Sequence, residues 1–547
     1  MYAYIILGLI LAVFATDLVS ADAPADPLSA VAGAAAVAVL VLVAGLGISG
    51  YILLRQQRIG ADEQRFLRTV GHLGRLYRLL IVAAYAVVLF GCGWSRLAAA
   101  WAGFAGWSVP VLAVNLAPLV VLLLVGWTAL YWADRRLRSL MFERAGTPIA
   151  GRHWTFPRYV TFMLRQYLLV ILVPMLVLLG VNDLATHLLP HPAAAGVELG
   201  VLLVAVALAG LWVRVCWRTE PLPEGRLRQR LLDLASRAGI RVANVLVWRT
   251  NLSIANGCMI GLVGPFRYIL ITDALLLSLS AEQVEAVFAH EAAHVTYRHP
   301  LLFLVMTLAA ITVAVLMGEA VALATTSFWM GMASMGTVVL AYLVVCFGYV
   351  SRRCEEECDL YAVRATVCPE GCSPPDAGPR ASRAAPTAPV RGGRAVPPPQ
   401  AEPAEPPAER ETSSTVSDEP PLEPVPPAGA VCGHRVRTFV TALRRIARLN
   451  GAAETRRGLR HFSIAHRCRF LEHVQADPSR VWRAEQRIRR LKIAALLLAV
   501  LAFVVAGLMF AAVGILVDGG RLEPDEPEHP AGPKDSVPWE NTWITRL

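Results

Sequence analysis

The sequence predicts a mainly α membrane protein: about nine transmembrane helices with a smaller α+β unit on the cytoplasmic side. Hydrophobic residues make up 56% of the 547, and charged residues only 17%, where about 25% is usual for a soluble chain. The apolar residues fall in long blocks, near the length of about 20 that a bilayer crossing needs. Arginines crowd into every second connection between those blocks, the pattern of positive-inside loops.

Candidate spans cover 2–15, 29–54, 79–100, 109–132, 166–184, 197–215, 301–324, 328–350 and 493–517. The first is short enough to be either a span or a signal peptide. It lacks a basic leading region, which favours a span. The connection 55–78 carries Arg55, Arg58, Arg65, Arg68, Arg75 and Arg78, and the connection 134–158 is equally basic. Between them, 17–27 holds Asp17, Asp22 and Asp26 with no Lys or Arg, and 186–198 also lacks both. This alternation puts the N-terminus in the cytoplasm, and with it residues 218–300 and 351–492. The net charge of +10 fits loops beside anionic lipid and gives no reason to expect a nucleic-acid partner.

The chain therefore divides into a multi-span region over 1–217, a soluble part over 218–300, a membrane hairpin over 301–350 and a short segment over 351–368. An insertion over 369–432, a second soluble part over 433–492, a last span over 493–517 and an acidic tail over 518–547 follow. In the first soluble part, 226–238 has helical apolar spacing. Residues 244–248 and 268–272 are Val, Ile and Leu runs that read as strands. Asp273 can cap a short helix over 274–279. Ser280 with Gln283 forms a capping box that opens a helix over 281–298. The insertion is Pro, Ala, Gly, Ser, Glu and Arg with almost no large apolar side chain, so it reads as disordered. Its PPPQ and EPPLEPVPP runs fit a plain linker better than a polyproline ligand for a partner.

The predicted helix 281–298 contains AHEAAHVTYRH, residues 289–299. His290 and His294 are one turn apart on one face and can converge on a metal ion. Glu291 beside them is placed to hold a water at the metal and take its proton. A catalytic zinc needs a third protein ligand. His299 lies on another face and reads as a helix-end or interface histidine. The segment SRRCEEECD, residues 351–359, returns to the same membrane face after the hairpin. Three consecutive glutamates compete there. Glu355 can ligate while Asp359, one turn on, supports a ligand histidine. Cys354, Cys358, Cys368 and Cys372 form a C-x3-C … C-x3-C set, which reads as free thiols before a separate zinc cluster.

AHEAAH followed by a hairpin and SRRCEEECD resembles the H-E-x-x-H … S-R-x-x-E-x-x-A-D arrangement of membrane zinc metalloproteases that include HtpX and the CAAX prenyl protease 1 (Ste-type) enzymes. NLSIANGCMIGLVGPFRYILITDALLL, residues 251–277, is similar to their N-A … G … I-x-x-x-D-x-L-L segment. The resemblance implies a zinc metalloprotease domain of the gluzincin type with one catalytic Zn2+. It implies His290, His294 and Glu355 as ligands and Glu291 as general base. In that family the 251–277 segment supplies an edge strand that pairs with the substrate backbone, which makes Asn251 a substrate-binding residue. Family members also carry a histidine and, six residues on, an arginine that stabilise the oxyanion. His461 and Arg467 have that spacing, with His466 as a competitor. The sequence departs from the family at Phe462, where a proline is usual, and at Cys358, where an alanine is usual.

These readings make the chain an integral-membrane zinc endopeptidase with polypeptide substrates in or near the bilayer. A non-catalytic metal-binding scaffold that recruits partners through the insertion is the alternative. A transporter is disfavoured because the spans hold few ionisable residues. An intramembrane protease of the site-2 type is disfavoured because Glu282, Glu285 and Arg298 make the motif helix polar.

Overall fold

The structure, a computed structural model, describes residues 2–18, 26–56, 63–102, 107–144, 146, 155–366, 368, 431–456 and 458–519. The Pro-rich run 369–430, Cys372 and the acidic tail from 520 onward lie outside the described residues, as does most of the connection 17–27.

Eight helices among the described residues are long and apolar enough to cross a membrane, so the chain is a multi-pass membrane protein. The N-terminal region runs through α1 (Tyr2–Leu18), α2 (Pro27–Arg55), α3 (Glu63–Ala86), α4 (Trp94–Ala102), α5 (Ser108–Arg144), α6 (Phe156–Met163), α7 (Val170–Leu188) and α8 (His191–Cys216). The α1 helix is shorter than the eight candidate spans. It buries Ile5, Leu9, Ala12 and Ala15, and its Tyr2 hydroxyl donates to the Gln166 carbonyl at 2.8 Å. Asp183 accepts from the backbone N–H of Ser108 and Val109 at 3.0 and 2.8 Å, so a side chain of α7 satisfies the first donors of α5.

Two sequence expectations change here. The span expected at 79–100 is not one helix, because α3 ends in a π-helical turn at Val87–Gly91 and Gly93, at φ 74°, turns the chain into α4. The basic connections are also largely helical: α3 already starts at Glu63, and α5 continues to Arg144. Arginine is a strong helix former whose aliphatic stem lies along apolar surface while its head stays wet, so a basic flank prolongs a span.

The chain forms two compact units, of which the larger is Met1–Phe303 with Leu343–Lys492. After α8 its chain forms β1 (Thr219–Pro221), α9 (Arg226–Arg237), β2 (Asn244–Trp248), β3 (Gly257–Ile260), β4 (Tyr268–Thr272), α10 (Asp273–Ser278) and α11 (Ala281–Thr296). The second unit, Leu304–Tyr342 with Ile493–Leu547, holds most of α12 (His299–Thr325) and all of α13 (Phe328–Ala341). In it α12 and α13 approach closely at Gly318 and Gly331, where an added Cβ would meet the facing backbone. The larger unit resumes with α14 (Gly348–Ala365), α15 (Gly433–Leu449), α16 (Ile464–Ala476) and the start of α17 (Ser479–Gly519).

The four strands among the described residues are ordered β1-β2-β4-β3, with β2 and β4 parallel and β3 antiparallel to β4. The strands at 244–248 and 268–272 stand where the sequence put them. Strand β1 escaped it, because TEP carries a proline, and the edge strand β3 was expected only through the resemblance of 251–277, since GCMI opens on glycine. Gly261, at φ 90°, ends β3 where any Cβ would strike the Phe266 carbonyl. One core joins Leu231 and Leu234 of α9, Val245 and Ile269 of the sheet, Phe288 of α11 and Phe439 of α15.

Candidate metal centre and active site

The helix that carries the histidines begins as its sequence specifies. The Ser280 side chain accepts from the Gln283 N–H, and the Gln283 side chain accepts from the Ser280 N–H. Asp273 has a different task from the one expected. Thr272 caps α10, while the Asp273 carboxylate accepts from the N–H and hydroxyl of Thr250 and from the Leu252 N–H. It thereby fixes a turn in which Asn251 and Leu252 adopt φ of 54° and 60°. Asn251 is thus a turn residue ahead of the edge strand, and the strand itself starts at Gly257.

The expected helix 281–298 stops at Thr296, since Arg298 takes a left-handed φ of 55°. His299 then opens α12 fully buried, its Nδ1 at 3.1 Å from the Nδ1 of His294. That break in the helix, invisible to helical periodicity, brings His299 to the histidine cluster.

Of the three consecutive glutamates, Glu355 faces the histidines. Its Oε2 lies 3.4 Å from His290 Nε2, and its Oε1 lies 3.5 Å from His294 Nε2. Glu356 turns away to accept from Arg353 Nη1 at 2.7 Å, and Glu357 pairs with His299 and Lys492. His290, His294 and Glu355 each offer a ligand atom, all within 4.8 Å of one another. Glu355 is buried, yet its Oε2 has no hydrogen-bond partner. A buried anionic oxygen that no hydrogen bond satisfies, beside the His290 imidazole, is costly unless a cation joins them. The donor set of two nitrogens and one carboxylate oxygen suits a tetrahedral zinc with one open position.

Burial and the charge of His290 pull His294 down to about 3, so its imidazole is neutral, the form that ligates. For His290, burial and Arg467 oppose protonation. The carboxylates of Asp359 and Glu355 outweigh them and raise it to about 9, so ligation requires its Nε2 proton to leave. Burial also pushes the Glu291 carboxyl above its usual range, against the pull of His290.

Around this centre, Asp359 sits 3.0 Å from His290 Nδ1 and takes Arg467 Nε at 2.9 Å and Nη2 at 2.5 Å. Arg467 Nη1 is 3.9 Å from Glu355 Oε2. His461 Nδ1 lies 2.9 Å from Glu355 Oε1, and its side chain is 55% exposed, so it reaches both the cluster and the solvent. His466 points elsewhere: it stacks on Phe462 with ring centroids 4.0 Å apart and faces Glu356. A small cavity lined by Gly257, Cys258, Ile271, Val287 and Glu291 puts the Glu291 side chain against the edge strand β3. Asn450 grips the segment before that strand, accepting from the Ala255 N–H at 2.9 Å and donating to the Ala255 carbonyl at 2.8 Å.

The sequence did not point to His299 as a partner of His294, to Asn450, or to Phe439, whose ring lies 5.9 Å from that of His290. Of the four cysteines, Cys372 lies outside the described residues, and the other three do not gather. Cys354 and Cys358 are buried in α14, while the Cys368 sulfur lies 3.5 Å from that of Cys432.

Residues 221–372 match the family model of peptidase family M48. This agrees with the resemblance drawn from AHEAAH and SRRCEEECD. A crystal structure of S. mikatae Ste24p superposes with a TM-score of 0.47 at 14% identity, over 82% of this chain and 100% of that chain. No curated protein matches the chain.

Proposed function

We propose that this multi-pass membrane protein, whose residues 221–372 carry a peptidase family M48 domain, is a zinc-dependent endopeptidase acting on polypeptides in or next to the bilayer. The observation that carries the reading is the convergence of His290, His294 and the buried Glu355 carboxylate on one point, with Glu291 beside it. These three residues would hold the ion. Zinc, when bound, supplies Lewis-acid polarisation of the scissile carbonyl and lowers the pKa of water.

The chain's own groups do the rest. Glu291 takes the proton of the attacking water and delivers it to the leaving amine, a task favoured by a carboxyl held above the usual range. His461 donates to the oxyanion that develops on the carbonyl, since it is both exposed and beside the centre. Arg467 and Asp359 act one layer out, holding His290 by its Nδ1. The outer edge of β3 offers backbone groups to an extended substrate. The arginine pattern puts this site on the cytoplasmic face.

The test is Glu291→Gln in the full chain, purified in detergent, with zinc content and casein digestion measured together. Zinc retained with digestion abolished supports the reading. Digestion that survives in the variant refutes it. A wild-type chain that binds zinc and digests nothing would favour the scaffold instead.

A further inference from the structure

His294 and His299 meet through the same ring atom, Nδ1 to Nδ1 at 3.1 Å. Two lone pairs would repel, so one nitrogen carries a hydrogen. On the far side of His299, Nε2 lies 2.8 Å from Glu357 Oε2. Glu357 is also ion-paired with the Lys492 ammonium, which favours the ionised carboxylate, an acceptor only. The hydrogen of His299 therefore sits on Nε2, and its Nδ1 is the acceptor. His294 must then carry its hydrogen on Nδ1, which leaves the lone pair on Nε2, the atom 3.5 Å from Glu355 Oε1.

We propose that His299, backed by Glu357 and Lys492, is a positioning residue that fixes the tautomer and ring orientation of His294 and strengthens its Nε2 as a metal ligand. The inference rests on His294 being a ligand, as proposed above. It makes the centre symmetric in design: His290 is held through its Nδ1 by Asp359 directly, and His294 through its Nδ1 by Glu357 by way of a second imidazole. Carboxylate support of a ligand imidazole raises its basicity. The other polar group facing His299 Nδ1 is the Cys358 sulfur at 3.6 Å, a weak donor. Tyr297 packs over the Lys492 ammonium at 5.0 Å and so closes the far end of the chain of contacts. Lys492 lies at the entry of the apolar part of α17, so the last helix supports a ligand more than a hundred residues earlier in the sequence.

The experiment measures zinc affinity of the full chain in detergent by competition with a chelating dye, together with the absorption bands of the cobalt-substituted protein. His299→Ala should bind zinc about 10- to 100-fold more weakly and shift the cobalt bands. His299→Asn, whose amide oxygen can accept from His294, should recover most of the loss. Should His299→Ala fail to fold, Glu357→Gln keeps the shape and removes only the charge, and it should weaken zinc severalfold. Affinities unchanged in folded His299→Ala or in Glu357→Gln would overturn the proposal. So would two ions per chain with one lost in Cys358→Ser, which would make His299 a ligand itself. Failure of the underlying reading looks different: a wild-type chain without zinc, or a His290→Ala variant that binds it as well as wild type, removes both.

Discussion

The Arg467 guanidinium grips the Asp359 carboxylate with two nitrogens, Nε at 2.9 Å and Nη2 at 2.5 Å, and both side chains are buried. A bidentate pair of this kind is geometrically specific, and removing one partner leaves a buried charge uncompensated. Asp359→Asn should cost about 3 kcal/mol of stability, seen as a lower thermal midpoint. It should also weaken zinc binding, because the acceptor at His290 Nδ1 loses its negative charge. An unchanged midpoint with unchanged zinc affinity would mean that the pair supports neither.

His461 and His466 separate cleanly. The first lies beside Glu355 and the second stacks on Phe462. His461→Ala should lower kcat by about 100- to 1000-fold with zinc content intact, the usual effect of losing one oxyanion donor. His466→Ala should leave kcat within a few-fold of wild type. The reverse ranking would move the oxyanion role to His466.

The Asn450 amide satisfies both backbone groups of Ala255, just ahead of the edge strand. Asn450→Ala leaves both unpaired, a cost of about 1–3 kcal/mol. Its effect on catalysis should fall on KM more than on kcat if the strand holds the substrate as proposed. A drop in kcat at constant KM would argue that β3 does not hold the substrate.

Metal removal should destabilise the larger unit. A ligand that binds only the folded state adds about 2.7 kcal/mol when present at 100 times its Kd. Dialysis against a chelator should therefore lower the thermal midpoint, and added zinc should restore it in wild type but not in Glu355→Ala. Recovery in that variant would place the ion elsewhere.

Much of this site was legible because its first half is local. A capping box and a one-turn histidine spacing are both properties of a single helix, and AHEAAH displays them within a few residues. Strands β2 and β4 were legible for the same reason, as short runs of branched side chains. What escaped depends on contacts or on backbone turns. Glu355, which the sequence singled out only through the resemblance, is set apart from its two neighbours by Arg353, His299 and Lys492, which pair with Glu356 and Glu357. His299 reaches His294 only because Arg298 breaks the helix in a left-handed conformation that no periodicity announces. Strand β3 pairs with a partner and opens on glycine, so its own composition argues against it.

The central claim is that His290, His294 and Glu355 share one ion. X-ray absorption at the zinc edge of the purified chain reads the ligands directly. The expected spectrum shows only nitrogen and oxygen neighbours, with two imidazoles near 2.0–2.1 Å by the usual zinc–nitrogen distance, lost or remodelled in Glu355→Ala. A sulfur at about 2.3 Å, which Cys358 would supply, or a spectrum unaltered by loss of Glu355, would contradict it.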